Sequence, residues 1–250
     1  MRVTLFIRQK KIVRELPRTS PVDYIRIKVF QSTMTPKLKL YYFNSKGKGE
    51  PIRLFCAYAG LDLEDHRFAA RSELYELRAN GKLSFGQVPL LEVDGKHQLV
   101  QSAAIMRYLG KIAGNYPEDP LLAAKVDAAL DQEADAFTSA TIATYNARFG
   151  FEIDDAYRAK LYENISNDVL PHHLKSIEKL LQESSSGWLA GTEEPSIADF
   201  VWYSRLADYI PEKKELSQEV KDLEGFPGCK AFIEKFKGLD AIKKYYAASN

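Results

Sequence analysis

Two groups that could bind a small acidic peptide lie close together within residues 85–107. Val88 directly precedes Pro89 at the start of an apolar segment, and its backbone amide and carbonyl could pair with an extended peptide. Ser102 is expected to cap a helix with its hydroxyl, and the free N–H groups at such a helix start suit a carboxylate. Together they predict a binding site for a small peptide that carries a carboxylate.

A β-hairpin is predicted to bring these two groups near each other. Residues 89–93 and His97–Val100 have strand character, and Asp94-Gly95 between them favours a tight turn, because both turn positions need positive φ. The helix that begins at Ser102 has one apolar stripe, formed by Ala104, Ile105, Tyr108 and Leu109. The order strand, turn, strand and helix therefore holds the two groups together.

The residues before the hairpin complete an α+β domain over residues 37–113. Apolar side chains alternate over residues 38–43, which predicts a strand with one face in the core. The other predicted elements are a helix from Glu50 with Pro51 in its first turn and Gly60 after its end, a strand at 64–68 and a helix at Ser72–Ala79. The order β-α-β-α-β-β-α is that of a thioredoxin-like domain.

An all-helical domain over residues 121–250 is predicted to follow a linker at residues 114–120. The linker holds two prolines and a glycine, which continue neither helix. Long helices are expected over residues 121–147 and 154–182, and Pro171 predicts a kink in the second.

Ser196 and Asp199 have the spacing of a capping box at the start of a further helix. Asp199 stands where Glu or Gln is usual in such a box. We expect this pair to support folding rather than catalysis.

The composition is ordinary for a globular protein, with 45% hydrophobic and 28% charged residues. No apolar run approaches the length of a membrane span, and a net charge of +1 predicts no basic surface for nucleic acid. Cys56 and Cys229 are far apart and form no CxxC motif, so neither a disulfide framework, a zinc site nor a dithiol is predicted. Cys56 lies in an apolar helix and is expected to pack in the core.

Residues 1–36 form an extension with a different charge pattern, with eight Lys or Arg against two acids. This bias is typical of a mitochondrial transit segment, although Glu15, Asp23 and two prolines interrupt a long amphipathic helix. Met34 would also be a natural start, directly ahead of the first strand. Targeting, a misassigned start and a genuine extension all stay open.

The hairpin and the helix after it resemble a known family. Phe-Gly-Gln-Val-Pro-Leu-Leu-Glu-Val-Asp-Gly at residues 85–95, followed by Gln-Ser-Ala-Ala-Ile at residues 101–105, is similar to the glutathione-binding half of cytosolic glutathione transferases, close to the sigma class. The resemblance runs from about Lys37 to the C-terminus. It implies a cytoplasmic homodimer that uses glutathione as co-substrate, without a metal, to conjugate small, mostly apolar electrophiles.

The resemblance also assigns the sulfur and γ-glutamyl ends of glutathione. Tyr42 matches the family tyrosine whose hydroxyl donates to the sulfur, and Lys48 stands where sigma-type sequences have an arginine near that sulfur. Gln101 and Ser102 match the pair that holds the γ-glutamyl carboxylate. Asp135 matches an acid that reaches the γ-glutamyl amine from the partner subunit.

Five further residues follow from the same comparison. Gln87 and Val88 flank a proline that is cis in the family, Pro89. Leu74 aligns with a tryptophan that donates to the peptide, so that bond is expected to be missing, and Arg78 aligns with a lysine that meets the glycyl carboxylate.

The second substrate's pocket is expected between the loop after the first strand and the end of the long helix. Gly47 and Tyr145 are the candidate residues of this pocket.

Two other functions stay open at this point. A glutathione-dependent isomerase, such as a prostaglandin D synthase-like enzyme, would use the same thiolate but needs a deep pocket lined by aromatic residues. A non-catalytic relative, crystallin-like or an interaction module, would have no need of Tyr42, Gln101 and Ser102, so their presence argues against it. A mitochondrial location is the alternative to a cytoplasmic one if residues 1–34 are a transit segment.

Overall fold

The structure, a computed structural model, describes residues 36–248. The predictions made for residues 1–35, including the transit-like segment, lie outside the described residues. Across residues 36–248, no helix is both long and apolar enough to cross a membrane.

The first half of the described chain is built on a four-stranded sheet with the order β2-β1-β3-β4. Its strands are β1 (Leu38–Phe43), β2 (Leu63–Phe68), β3 (Leu90–Val93) and β4 (His97–Val100). β1 runs parallel to β2 and antiparallel to β3, and β4 is antiparallel to β3. The predicted hairpin is confirmed, since Asp94 and Gly95 both have positive φ, 54° and 66°.

Three helices complete this half: α1 (Glu50–Ala59), α2 (Ser72–Ala79) and α3 (Ser102–Ala113). Pro51 lies in the first turn of α1, and Gly60 ends it with φ 66° in the left-handed region that a glycine adopts freely. The thioredoxin-like order predicted from the sequence is therefore confirmed.

The prediction that Ser102 caps α3 is wrong. Gln101 occupies the N-cap position with φ 74°, Ser102 is the first helical residue, and no side chain caps this helix. The positive φ of Gln101 turns the chain from β4 into the helix, which begins at Ser102 as predicted.

The rest of the described chain is helical, as predicted. Its helices are α4 (Pro120–Thr144), α5 (Asp155–Asn164), α6 (Leu170–Glu183), α7 (Ile197–Tyr203), α8 (Ile210–Glu212), α9 (Gln218–Lys221), α10 (Pro227–Lys237) and α11 (Asp240–Ala248). A 3₁₀ turn covers Asn146–Phe149, and π-helical turns cover Ile165–Val169 and Ser204–Tyr209.

Two helix predictions need adjustment. The helix predicted over residues 121–147 ends at Thr144, because Tyr145 leaves the helical region with φ −123° and ψ 38°. Where a kink was predicted at Pro171, the helix is interrupted by the π-helical turn Ile165–Val169, because a proline has no N–H to continue the helical hydrogen bonds.

Buried aromatic residues join the sheet half to the helical half. The Phe55 ring of α1 lies 5.1 Å from the Phe200 ring of α7, and Trp202 of α7 donates its indole N–H to the Ala129 carbonyl of α4 at 2.7 Å. All of these side chains are at most 3% exposed. α4 and α7 are therefore fixed relative to β1 and α1, which together carry the candidate site.

The predicted capping box starts α7 and is fully buried. One Asp199 carboxylate oxygen accepts from the Ser196 amide and the Ser196 hydroxyl, both at 2.7 Å, and the other accepts from the Leu189 amide at 2.9 Å. Asp199 is 0% exposed, so none of these donors could turn to water if the carboxylate were absent.

Replacing Asp199 with Ala is expected to destabilise the fold by about 3–5 kcal/mol, because two buried backbone N–H groups lose their acceptor and a helix loses its cap. Asp154→Ala is the control, since Asp154 caps α5 through Tyr157 at an exposed position and should cost about 1 kcal/mol. Denaturant unfolding of both variants measures the difference. An Asp199→Ala cost no larger than that of Asp154→Ala would contradict the buried-box argument.

Candidate active site

A cleft of about 1560 Å³ lies between the sheet half and the helical half. This volume exceeds the roughly 300–1,000 Å³ of a pocket for one small ligand, so the cleft has room for two substrates. It is lined by every predicted site residue except Asp135, namely Tyr42, Gly47, Lys48, Leu74, Arg78, Gln87, Val88, Pro89, Gln101, Ser102 and Tyr145.

Tyr42 lies near the C-terminal end of β1, and the loop that follows the strand packs closely against its ring and hydroxyl. Its hydroxyl oxygen accepts from the Lys48 amide at 3.0 Å, and its side chain is 9% exposed. A Cβ at Gly47 would lie 2.7 Å from this hydroxyl, and one at Gly49 would lie 2.6 Å from the ring. Both glycines are therefore needed for the loop to close around the ring.

The hydroxyl of Tyr42 is arranged to donate into the cleft. Because the Lys48 N–H uses one of its lone pairs, the hydroxyl hydrogen points elsewhere. Burial raises the pKa of Tyr42 above its usual value, against the opposing effect of the Lys48 amide. Tyr42 is therefore a neutral phenol at neutral pH and can donate a hydrogen bond to an anion.

Tyr41 faces the opposite side of the sheet, as strand alternation requires. Its ring lies 5.1 Å from that of His66 and 5.1 Å from the Lys39 ammonium. Only Tyr42 of the two adjacent tyrosines lines the cleft.

The end of the cleft near the hairpin carries the groups predicted to bind the peptide backbone. The Val88–Pro89 bond is cis, as the family resemblance implies. Gln101 has φ 74°, which is unusual for a residue other than glycine. Both Gln101 and the first residue of α3 line the cleft. Ser102 lies in the first turn of α3, where the unpaired helix N–H groups attract a carboxylate.

The two residues on α2 occupy the outer rim of the cleft and differ in character. Leu74 is 5% exposed and packs in a small core with Phe68, Leu83 and Leu90, so it offers an apolar wall and no donor. The Arg78 guanidinium donates from Nε to the Gly86 carbonyl at 2.7 Å, which fixes it beside the loop before Pro89.

Asp135 is exposed on α4 and does not line this chain's own cleft. Tyr145 lines the cleft at the end of α4 with 61% of its side chain exposed. It is close enough to Tyr42 to act on the pKa of that phenol electrostatically.

Among the charged residues of the cleft that were missed in the sequence are Glu133, Arg205 and Lys213. Arg205 donates to Glu133 at 2.6 Å, and both side chains are largely buried. Glu133 could have been found, because it falls on the apolar stripe of α4 with Val126, Leu130 and Phe137. Arg205 and Lys213 carry no comparable signal, since their cleft positions depend on how distant helices pack.

Cys56 takes no part in the cleft. It is 1% exposed in α1, and burial raises the pKa of its thiol to about 12. The prediction that it packs in the core is confirmed.

Comparisons with known proteins identify the family of this chain. The family model described as "Glutathione S-transferase, N-terminal domain" matches residues 36–111, and "Glutathione S-transferase, C-terminal domain" matches residues 142–249. Glutathione S-transferase 1 of Ascaris suum is 34% identical over 205 residues, which cover 79% of this chain and 96% of that relative.

Two solved structures are similar over almost their whole length. Prostaglandin synthase D of Nilaparvata lugens is 31% identical with a TM-score of 0.70, covering 85% of this chain and 98% of that one. A monomeric glutathione S-transferase from the hookworm Necator americanus is 30% identical with a TM-score of 0.69, covering 86% and 98%.

Removing the Tyr42 hydroxyl should make the thiolate form of a thiol bound in the cleft less stable, whereas removing the Tyr41 hydroxyl should not. A hydrogen bond to a charged group contributes about 1.5–3 kcal/mol, so Tyr42→Phe should raise the pKa of the bound thiol by roughly one to two units. Thiolate ultraviolet absorbance, followed against pH with glutathione bound, measures this. Turnover at neutral pH should fall and partly recover as pH rises, with glutathione affinity nearly unchanged.

Tyr41→Phe is the matched control, since it removes the same atom from the neighbouring residue on the other face. A loss of conjugation in Tyr41→Phe together with an unchanged pH profile in Tyr42→Phe would show that the wrong tyrosine has been assigned.

Proposed function

Because the chain belongs to the glutathione S-transferase family, we propose that Tyr42 is the residue that converts the thiol of bound glutathione into its reactive thiolate. The observation that carries this assignment is the Lys48 amide bond to the Tyr42 oxygen, which leaves the phenol hydrogen of this cleft residue free to donate to another acceptor. Conjugation of that thiolate to small, mostly apolar electrophiles is the reaction of the enzyme.

Glutathione is proposed to lie along the hairpin, with its two carboxylates at opposite ends. Its γ-glutamyl carboxylate meets Gln101 and Ser102 at the start of α3, and its cysteinyl backbone pairs with Val88 before the cis proline. Its glycyl carboxylate meets the Arg78 guanidinium, whose several N–H groups suit a carboxylate. This placement leaves the sulfur beside Tyr42.

The chemistry requires one proton to leave and one bond to form. The thiol loses its proton to solvent, Tyr42 donates a hydrogen bond to the resulting anion, and the sulfur attacks the electrophilic carbon. A leaving group then departs with the bonding electrons, or the carbanion formed by conjugate addition takes a proton from water.

Activation of the thiol alone gives a modest gain in rate. Lowering a thiol pKa of about 8.5 by two units raises the thiolate fraction at pH 7 roughly 25-fold. The same change lowers nucleophilicity about 8-fold at a Brønsted slope near 0.45, which leaves about threefold. Most of the acceleration must therefore come from holding the electrophile against the sulfur.

The electrophile is proposed to occupy the half of the cleft formed by the helical domain. Its wall carries the aromatic side chains of Phe137, Tyr145, Phe149 and Tyr209. Thr138 and Thr141 lie between them, and their hydroxyls donate back to the helix carbonyls of Ala134 and Phe137. The wall is thus mostly apolar, in keeping with an apolar electrophile.

Isomerisation is the second candidate, because the aromatic wall and the similarity to the prostaglandin synthase of Nilaparvata lugens both fit it. An isomerase returns glutathione unchanged, whereas a conjugating enzyme consumes one thiol for each product. We propose the conjugating activity, a role in detoxification and a cytoplasmic location, with a mitochondrial location as the alternative.

The protein should be retained on glutathione resin and should catalyse conjugation of chlorodinitrobenzene with loss of one free thiol per product. Tyr42→Phe serves as the matched control in the same assay. Turnover of a prostaglandin endoperoxide without thiol loss, in the absence of conjugation, would favour the isomerase instead. Failure to bind the resin would favour a non-catalytic relative.

The protein is also proposed to be a sigma-type homodimer in which Asp135 of each subunit completes the partner's glutathione site. Asp135 is exposed and does not line its own cleft, which leaves it available to a second subunit. A carboxylate that meets an ammonium in a partly buried cleft contributes about 1.5–3 kcal/mol.

Asp135→Ala should therefore raise the dissociation constant for glutathione at least tenfold, with less effect on turnover at saturation. Glu163→Ala removes an exposed acid from α5 and should change neither quantity. Isothermal titration calorimetry measures the dissociation constant for glutathione, and sedimentation measures the oligomeric state. A fully active monomer, as in the Necator americanus neighbour described as monomeric, would refute this assignment.

A further inference from the structure

In the cleft that Tyr42 also lines, two cationic side chains, one from each half of the chain, meet at one buried carboxylate. Glu133 of α4 is 7% exposed and receives Arg205 from the π-helical turn after α7, with Nε at 2.6 Å from Oε1. The Lys48 ammonium, from the loop that closes around Tyr42, lies 3.8 Å from Oε2. We define Lys48, Glu133 and Arg205 as the cleft charge cluster.

Arg205 is held rigidly in this position. Its guanidinium lies 4.6 Å from the Phe137 ring centroid and 4.8 Å from that of Tyr209, so two aromatic rings and one carboxylate fix it. Its side chain is 12% exposed. It lies close enough to Tyr42 to lower the pKa of that phenol against the larger effect of burial.

The cluster opens toward the proposed position of the sulfur. All three residues line the large cleft with Tyr42 and Ser102, and they also line a second cavity of about 80 Å³. Two cations and one anion give the cluster a net charge of +1, next to a site that must hold a thiolate.

We propose that Arg205 stabilises the glutathione thiolate electrostatically, in addition to the Lys48 cation that the family resemblance already places near the sulfur, and that Glu133 is the positioning residue that holds both cations at the site. The proposal rests on the proposed placement of the sulfur beside Tyr42. It assigns part of the activation of the thiol to Arg205 of the helical domain, held by Glu133 of the same domain, in addition to the Tyr42 hydroxyl.

The other charged groups at this end of the cleft do not remove this effect. Lys46 pairs with Asp208 at 2.6 Å and with the exposed Glu212 at 3.3 Å. Lys213 pairs with the exposed Glu215 at 3.3 Å. On the sheet side Arg53 pairs with Glu50 and Asp65, and at the end of α4 Arg148 and Tyr145 are exposed. These groups set a constant background, whereas substitutions within the cluster change the local charge by one unit at a time.

The test measures the pKa of bound glutathione by thiolate absorbance in charge variants of the cluster. Arg205→Leu lowers the cluster charge to zero and should raise the thiol pKa by about one unit. Glu133→Gln raises the cluster charge to +2 and should lower the thiol pKa by a similar amount. The double variant Glu133→Gln/Arg205→Leu restores +1 and should return the pKa to within about 0.3 unit of wild type.

Arg107→Leu is the matched control. Arg107 also bridges to α4, through Asp127 and Asp131 at 2.7 Å, but it lies outside the cleft. It should leave the thiol pKa unchanged. A purely structural role would move the pKa in the same direction in both single variants, and that result would overturn the proposal, as would shifts no larger than that of Arg107→Leu.

The double variant keeps the test informative if Arg205→Leu alone fails to fold, because it leaves no unpaired buried carboxylate. Glu133→Gln lowering the pKa and the double variant restoring it then support the proposal, and any other pair of results overturns it. Tyr42→Phe is measured in parallel. An unchanged pKa in Tyr42→Phe would refute the proposed role of Tyr42, whereas the cluster is judged on its own charge variants.

Discussion

The hydrogen bond from the Lys48 amide to the Tyr42 oxygen is the interaction on which the site depends. It occupies one lone pair of the phenol oxygen, so the hydroxyl hydrogen is left for another acceptor, which we propose to be an incoming anion. The bond forms only because Gly47 and Gly49 let the loop backbone approach the ring, with Gly47 at φ 41°. A methyl group at either position would occupy space that the tyrosine already fills.

That loop is itself fixed by Arg53, which is 3% exposed in α1. Its guanidinium donates to the Ser45 carbonyl at 2.9 Å and to the Asp65 carboxylate at 2.9 Å, and it pairs with Glu50 at 3.2 Å. Breaking a buried ion pair by removing one partner costs about 3–5 kcal/mol, which is a large fraction of a domain's net stability. The position of the Tyr42 hydroxyl is therefore coupled to the folding of the sheet half itself.

Local patterns predicted most of the sheet half, because its signals depend on neighbouring residues. Alternation along β1 assigned Tyr42 and Tyr41 to opposite faces, and Asp94-Gly95 identified the hairpin. Ser102 was misjudged because a serine before an apolar stripe is typical of an N-cap, and nothing in the sequence shows that Gln101 adopts φ 74°.

The helical wall was less predictable for a different physical reason. Arg205 meets Glu133 across 72 residues of chain, and Lys213 meets Thr144 across 69, through packing that no local period encodes. The position of Glu133 on an apolar stripe of α4 could have indicated a buried acid, but it could not have identified the partner of that acid. Pairings of this kind require the tertiary structure.

The two halves of the molecule contribute different parts of the reaction. In the proposed reaction, peptide recognition and the tyrosine donor belong to the sheet half, whereas the aromatic wall and Arg205 belong to helices α4 to α8 and the turns between them. Since a lower thiol pKa also lowers nucleophilicity, further stabilisation of the thiolate brings diminishing gains in rate. A net charge of +1 rather than +2 beside the sulfur is consistent with that limit. A second uncompensated cation would increase the fraction of ionised thiol but would lower the nucleophilicity of the thiolate. In this proposal Glu133 both positions the two cations and lowers the net charge of the cluster by one unit. The contacts that fix α4 and α7 to the sheet half hold the cluster near the proposed position of the sulfur.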